Sequence, residues 1–149
     1  MHTCRIIEAT AADIPALVPL LSQLFTLESD FQPDPAKQAA GLRLIVENPA
    51  RGSIFVLRSD EQIIGMANAL ITISTAEGGP VLILEDVIVA VSHRGKGLGR
   101  MLVNHVLDWA KQQGMPRVTL LADRDNLPAL RFYEKLGFRA SAMKVYRHS

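Results

Sequence analysis

Cysteine is almost missing from this 149-residue chain: Cys4 is the only one, so no disulfide can close within it. That suits a reducing compartment, where disulfide frameworks are rare. A lone thiol also removes the usual zinc patterns, and His2, His93, His105 and His148 show no ligand spacing to another candidate, so no metal is expected. Cys4 sits in the short apolar run Cys4-Arg5-Ile6-Ile7, where a free thiol packs as a small hydrophobe rather than acting as a nucleophile. Excess charge is missing too. Sixteen Lys+Arg against fifteen Asp+Glu leave a formal charge of +1, no footprint for general binding to nucleic acid. No apolar run approaches the ~20 residues of a membrane helix, and no basic segment precedes a long apolar one as in a signal peptide. A cytoplasmic, soluble protein is expected, with a small molecule or a local peptide as its partner.

What is present is an ordinary globular composition, 48% hydrophobic and 21% charged, long enough for one domain over residues 1–149 with a sizeable core. Residues 3–8 read as a strand. Thr10 and Asp13 then stand at capping-box spacing before a helix in which Ile14, Leu17, Val18, Leu21 and Leu24 recur, running to Phe25. Asp34 and Pro35 open a second helix that Pro49 limits to about residue 48. Strands are expected over 53–58, 63–74 and 81–89, the last almost wholly apolar except for the adjacent acids Glu85 and Asp86. A helix over 97–113 ending at Gly114, a strand over 117–121, a helix over 126–136 and a strand over 138–146 complete the order βααβββαβαβ, one mixed α/β domain.

The most informative stretch is Val87-Ile88-Val89-Ala90-Val91-Ser92-His93-Arg94-Gly95-Lys96-Gly97-Leu98-Gly99-Arg100. A buried strand runs into three alternating glycines and then a helix. Glycines let successive amides point into one concavity, and the helix N-terminus adds free N–H groups and partial positive charge. Arg94, Lys96 and Arg100 add cations. These features describe a pyrophosphate cradle. It is not that of the nucleoside triphosphatases, because Lys96 is followed by Gly97 rather than Ser or Thr. Nor is it the dinucleotide fingerprint, because the glycines fall at 95, 97 and 99.

Arg94-Gly95-Lys96-Gly97-Leu98-Gly99 resembles the Arg/Gln-x-x-Gly-x-Gly/Ala signature of the GNAT acyltransferases. The segment from Asn126 through Ala129 and Tyr133 to Gly137-Phe138 is similar to that family's second signature, Asn-x-x-Ala…Tyr-x-x-x-Gly-Phe. Element order agrees as well, so the resemblance spans essentially the whole chain. It implies a GNAT-like single domain, with a mixed, mostly antiparallel sheet flanked by helices, and acetyl-CoA as acyl donor. Gly95, Lys96, Gly97, Leu98, Gly99 and Arg100 would then present amides to the CoA pyrophosphate. The main chain of Val87, Ile88 and Val89 would pair with the pantetheine arm, and Asn126 and Ala129 would lie beside the cofactor's far end.

Acetyl transfer to an amine requires a neutral amine, a donor to the developing oxyanion and a proton for the departing sulfur. A lysine-like ammonium, with pKa about 10.4, is deprotonated only to about one part in a thousand at pH 7, so a base is needed. Glu85 and Asp86 are the candidates, and strict alternation would put them on opposite faces of the sheet. Similarity to polyamine-type acetyltransferases favours Glu85, although either acid could instead pair with a cation at a strand end. Tyr133 is the candidate acid, since a phenol stays protonated at neutral pH yet can donate; its alternative role is a core aromatic. The oxyanion donor is expected from main-chain N–H groups of residues 87–89. By the same resemblance the acceptor lies against the first two helices, where Phe25, Glu28, Asp30 and Phe31 would suit a small cationic amine. A protein N-terminus or lysine as acceptor, a CoA-binding module without turnover, and a homodimer all stay open.

Overall fold

In the computed structural model, which describes residues 3–28 and 31–149, β1 (Cys4–Glu8) leads to α1 (Ile14–Leu27) and α2 (Pro35–Val46). Asp13 fixes the entry to α1. Its carboxylate accepts the Thr10 N–H at 2.8 Å and pairs with Arg58 at 2.8 Å, joining the helix start to the sheet. Asp34 caps α2 by accepting from the Lys37 N–H at 3.2 Å. Gln38 is buried because its carboxamide has work on α1: Nε2 donates to the Val18 carbonyl and to Ser22 Oγ, each at 3.0 Å.

Three antiparallel strands follow, β2 (Gly52–Ser59), β3 (Gln62–Ser74) and β4 (Gly79–Val89), then α3 (Leu98–Gln112), β5 (Val118–Leu120) and α4 (Leu127–Lys135). The sheet order is β1-β2-β3-β4-β5, with β5 parallel to β4 and every other pairing antiparallel. Side chains alternate across the sheet into two hydrophobic clusters. Leu17, Leu21 and Leu42 of α1 and α2 pack with Ile54, Met66 and Ile88 on one face. Leu102, Val103 and Val106 of α3 pack with Phe55, Ala67, Leu82 and Leu84 on the other. Trp109 and His105 both meet the Phe55 ring edge-on at 5.2 Å, so this side of α3 belongs to the core. Among the described residues no helix is long and apolar enough to cross a membrane.

One expected element does not form. Residues 138–146 carry no strand, which leaves the order βααβββαβα. Only Phe138 turns inward, its ring 5.7 Å from that of Tyr133. Ser141 Oγ accepts the Met143 N–H at 3.0 Å, a local bond that bends the chain where a strand would run straight. Met143, Val145 and Tyr146 are consequently 84%, 60% and 90% exposed, so their alternating pattern covers nothing.

Candidate active site

The site begins where two strands separate. β5 pairs with β4 only from Leu82↔Val118 to Leu84↔Leu120, after which residues 85–89 keep β3 as their neighbour on one side and no strand on the other. On that open side the main chain of residues 85–89 has no strand partner, the geometry at which an extended, amide-bearing guest can pair as another strand would.

At the end of β4 the chain turns through the glycine loop. Gly95 and Gly97 adopt left-handed φ values of 80° and 76°, and Gly97 is the N-cap of α3. An added Cβ would meet nothing within 4 Å at either position, so backbone conformation rather than crowding calls for glycine there. Gly99 differs: a Cβ would come within 3.3 Å of Phe132 Cζ, so its absence lets α4 close on α3. Arg94 Nε donates to the Val89 carbonyl at 2.9 Å and ties the loop to the strand. Between them lies a cavity of about 380 Å³, bordered by Val89, the loop, the first turn of α3, Phe132 of α4 and Leu136 just beyond its end. The amides at the helix start, the cations Arg94 and Arg100 on the cavity wall, and Val89 at the end of the open strand edge suit a pyrophosphate followed by a peptide-like arm, whereas Lys96 does not line the cavity.

Glu85 and Asp86 do not alternate. Asn68 pairs with Glu85 but Met66 with Ile88, so β4 carries one residue more than β3 across this interval, a β-bulge at residues 86–87. Asp86 takes a left-handed φ of 53°, uncommon outside glycine. The bulge turns its carboxylate to the same face as its neighbour Glu85, where Asp86 Oδ2 accepts from Asn68 Nδ2 at 2.6 Å. The expectation of opposite faces is thus corrected, because the extra residue breaks the period of two. Their surroundings differ. Glu85 is exposed, whereas Asp86 is half-buried, and its pKa is raised to about 6 by burial, with the Asn68 bond lowering it and Glu85 raising it.

Tyr133 lies on α4 among aromatic edges, 5.1 Å from Phe132 and 5.7 Å from Phe138. Burial first, and the Glu28 carboxylate second, push its phenol to about 12. It therefore keeps its proton throughout the physiological range. Glu28, just past the end of α1, thus acts electrostatically on this tyrosine. Phe25 and Phe31 are 5.6 Å apart, and the Arg147 guanidinium stands 5.5 Å over the Phe31 ring. Asp30, expected beside them, lies outside the described residues. Asn126 caps α4 by accepting from the Ala129 N–H at 3.2 Å, a structural use of the signature's asparagine. No cluster of three His, Cys, Asp or Glu suited to a metal occurs among the described residues.

Two residues escaped sequence reasoning, Asn68 and Arg147. Asn68 left a trace, one polar side chain in the run Gly65-Met66-Ala67-Asn68-Ala69-Leu70. Arg147 left none, since its place depends on how the C-terminal segment travels.

With this geometry in hand, known proteins are informative. Streptothricin acetyltransferase of Streptomyces lavendulae is 42% identical over 57 residues, 38% of this chain and 30% of that protein. Glucosamine 6-phosphate N-acetyltransferase of Trypanosoma brucei brucei is 36% identical over 88 residues, 58% of each. The chain thus spans about a third to somewhat over half the length of these curated relatives. A crystal structure of a possible acetyltransferase from Clostridium difficile 630 superposes with TM-score 0.89 at 18% identity over 98% of this chain and 97% of that one, a likeness of fold. The description of the acetyltransferase (GNAT) family matches residues 16–138, nearly the whole span from α1 to Phe138, and the chain belongs to that family.

Proposed function

We propose that this protein is an acetyl-CoA-dependent N-acetyltransferase acting on a primary amine of small, cationic type. The observation that carries the reading is the opening between β4 and β5 beyond Leu84, which leads through Val89 into the glycine cradle. A phosphate-binding loop alone would suit many nucleotides. An unpaired strand edge joined to it suits a ligand whose pyrophosphate continues into an amide-bearing arm, which is the make-up of CoA. Bound acetyl-CoA supplies the acetyl group and the thiolate leaving group; the chain's own residues do the rest.

Asp86 receives the ammonium proton, directly or through a water, and so frees the lone pair that attacks. A carboxyl at about 6 is ionised at neutral pH yet is a stronger base than an ordinary aspartate, which favours it over exposed Glu85. Glu85 then contributes negative charge that draws a cationic acceptor. Main-chain N–H groups of residues 87–89 hold the developing oxyanion. Tyr133 keeps a proton available for the thiolate. Glu28, Phe25 and Phe31 form the acceptor side, where carboxylate and ring faces both attract an ammonium group. The relatives named for streptothricin and glucosamine 6-phosphate support a small-molecule amine over a protein one. A cytoplasmic location belongs to the same reading.

The test is release of free thiol from acetyl-CoA, followed with a thiol dye across polyamines, amino sugars, aminoglycosides, amino acids and short peptides. Amine-dependent release is expected. It should fall about 100-fold or more in Asp86→Asn, and only a few-fold in Glu85→Gln. Tight acetyl-CoA binding with no release from any amine would instead support a binding module, and the reverse order of the two variants would return the base to Glu85.

A further inference from the structure

Asn68 occupies a core position it is poorly suited to fill. It is 3% exposed on the central strand β3, and its Oδ1 is buried without a hydrogen-bond partner. A buried amide with an orphaned acceptor costs stability that an apolar side chain of similar size would not. Its one bond explains why it is there: Nδ2 donates to Asp86 Oδ2 at 2.6 Å, directly at the bulge.

Resting on the assignment of Asp86 as base, we propose that Asn68 is a positioning residue for the reaction, orienting the Asp86 carboxylate across the bulge and favouring its ionised form. Among the described residues, Asn68 is the side chain that hydrogen-bonds the Asp86 carboxylate. β3, β5 and α1, all packed against β4, contain no charged residue between Gln62 and Ser74, Val118 and Leu120, or Ile14 and Leu27. α3 lies on the opposite sheet face, with His105 turned to Phe55. Glu85, next in the chain, is of like charge and opposes ionisation. Among the described residues Asp86 has no ion pair. A single N–H donor is thus what counters burial and a neighbouring carboxylate, since a bond to the charged form lowers a carboxyl's pKa. A cation in its place would hold Asp86 ionised but make it too weak a base. Asparagine, neutral and donating, leaves it in between.

The experiment is the pH profile of kcat at saturating amine and acetyl-CoA, with melting curves, for wild type, Asn68→Leu, Asn68→Ala and Asp86→Asn. The wild-type acid limb should lie near 6. In Asn68→Leu it should move upward by about one pH unit, so that turnover at pH 6 drops about fivefold, approaches a deficit of about tenfold at lower pH and largely recovers by about pH 8, with melting temperature unchanged or raised. Asn68→Ala reports the same limb should leucine prevent folding. A limb that stays in place in whichever variant folds, or a loss of rate equal at every pH, would overturn the proposal. Asp86→Asn separates the two layers. If it erases the limb while the Asn68 variants leave it unmoved, only the role of Asn68 fails. If it keeps the wild-type limb, the base assignment itself fails.

Discussion

At the scale of single residues, Asp86 combines the three marks of a working group: a left-handed backbone, a half-buried carboxyl and a bond to a buried amide. Such a residue trades stability for reactivity, and the trade has a definite sign. Because its folded pKa of about 6 exceeds the unfolded 3.8, the fold binds the proton more tightly than the open chain does. The resulting contribution to stability is complete below 3.8 and is lost as pH rises through about 6. At pH 7 the ionised carboxylate is therefore a burden, and Asp86→Asn should relieve about 2 kcal/mol of it, allowing for solvent screening. Calorimetry should find the variant melting about 4–8 °C higher at pH 7 and level with wild type at pH 3.5, although turnover is lost. An equal or lower melting temperature at pH 7 would mean that burial does not govern this carboxyl. Tyr133 makes the complementary case. Tyr133→Phe removes one oxygen from a packed aromatic group, so kcat should fall about 100-fold while the melting temperature and the KM for acetyl-CoA hold.

At the scale of elements, what could be read in the sequence was whatever is encoded locally. The glycine loop was legible because left-handed φ at 95 and 97 admits few residues but glycine, and the helix starts because Asp13 and Asp34 stand where free amides need acceptors. The bulge was not, because it is a mismatch of register between β3 and β4, and neither strand carries it alone. Strict alternation accordingly separated Glu85 and Asp86, which in fact share a face. Residues 138–146 failed for a related reason: alternating apolar residues make a strand only beside a partner, and no strand of the sheet pairs with them. The loop also supplies a prediction. In Gly97→Ala the new methyl would clash with nothing, so the cost is the left-handed conformation itself, about 1–2 kcal/mol. Because the same amides that hold this conformation face the cradle, that cost should appear in binding. Titration calorimetry should show acetyl-CoA held about tenfold more weakly, with kcat at saturation little changed. Gly97→Asn should do less harm, since asparagine tolerates left-handed backbone better.

At the scale of the molecule, β4 belongs to both cores at once. Leu82 and Leu84 pack with α3 on one face, and beyond the bulge Ile88 packs with α1 on the other. The opening between β4 and β5 begins between these anchor points, where the β4–β5 pairing ends at Leu84↔Leu120. A ligand pairing with residues 87–89 and reaching the start of α3 would therefore replace missing sheet contacts and link the two layers. Stabilisation on binding then follows from mass action: at a concentration 100 times Kd, acetyl-CoA should add about 2.7 kcal/mol, about 5–10 °C in melting temperature. Hydrogen exchange distinguishes this from a general effect. Protection should rise in residues 85–89, the glycine loop and the first turn of α3. The β1–β2 edge, which lies across the sheet and pairs through Cys4↔Ser59 to Glu8↔Phe55, should change only as far as global unfolding slows. If protection instead rose in the loop alone, the guest would be held by its phosphates only, and the open edge of β4 would have no part in recognition.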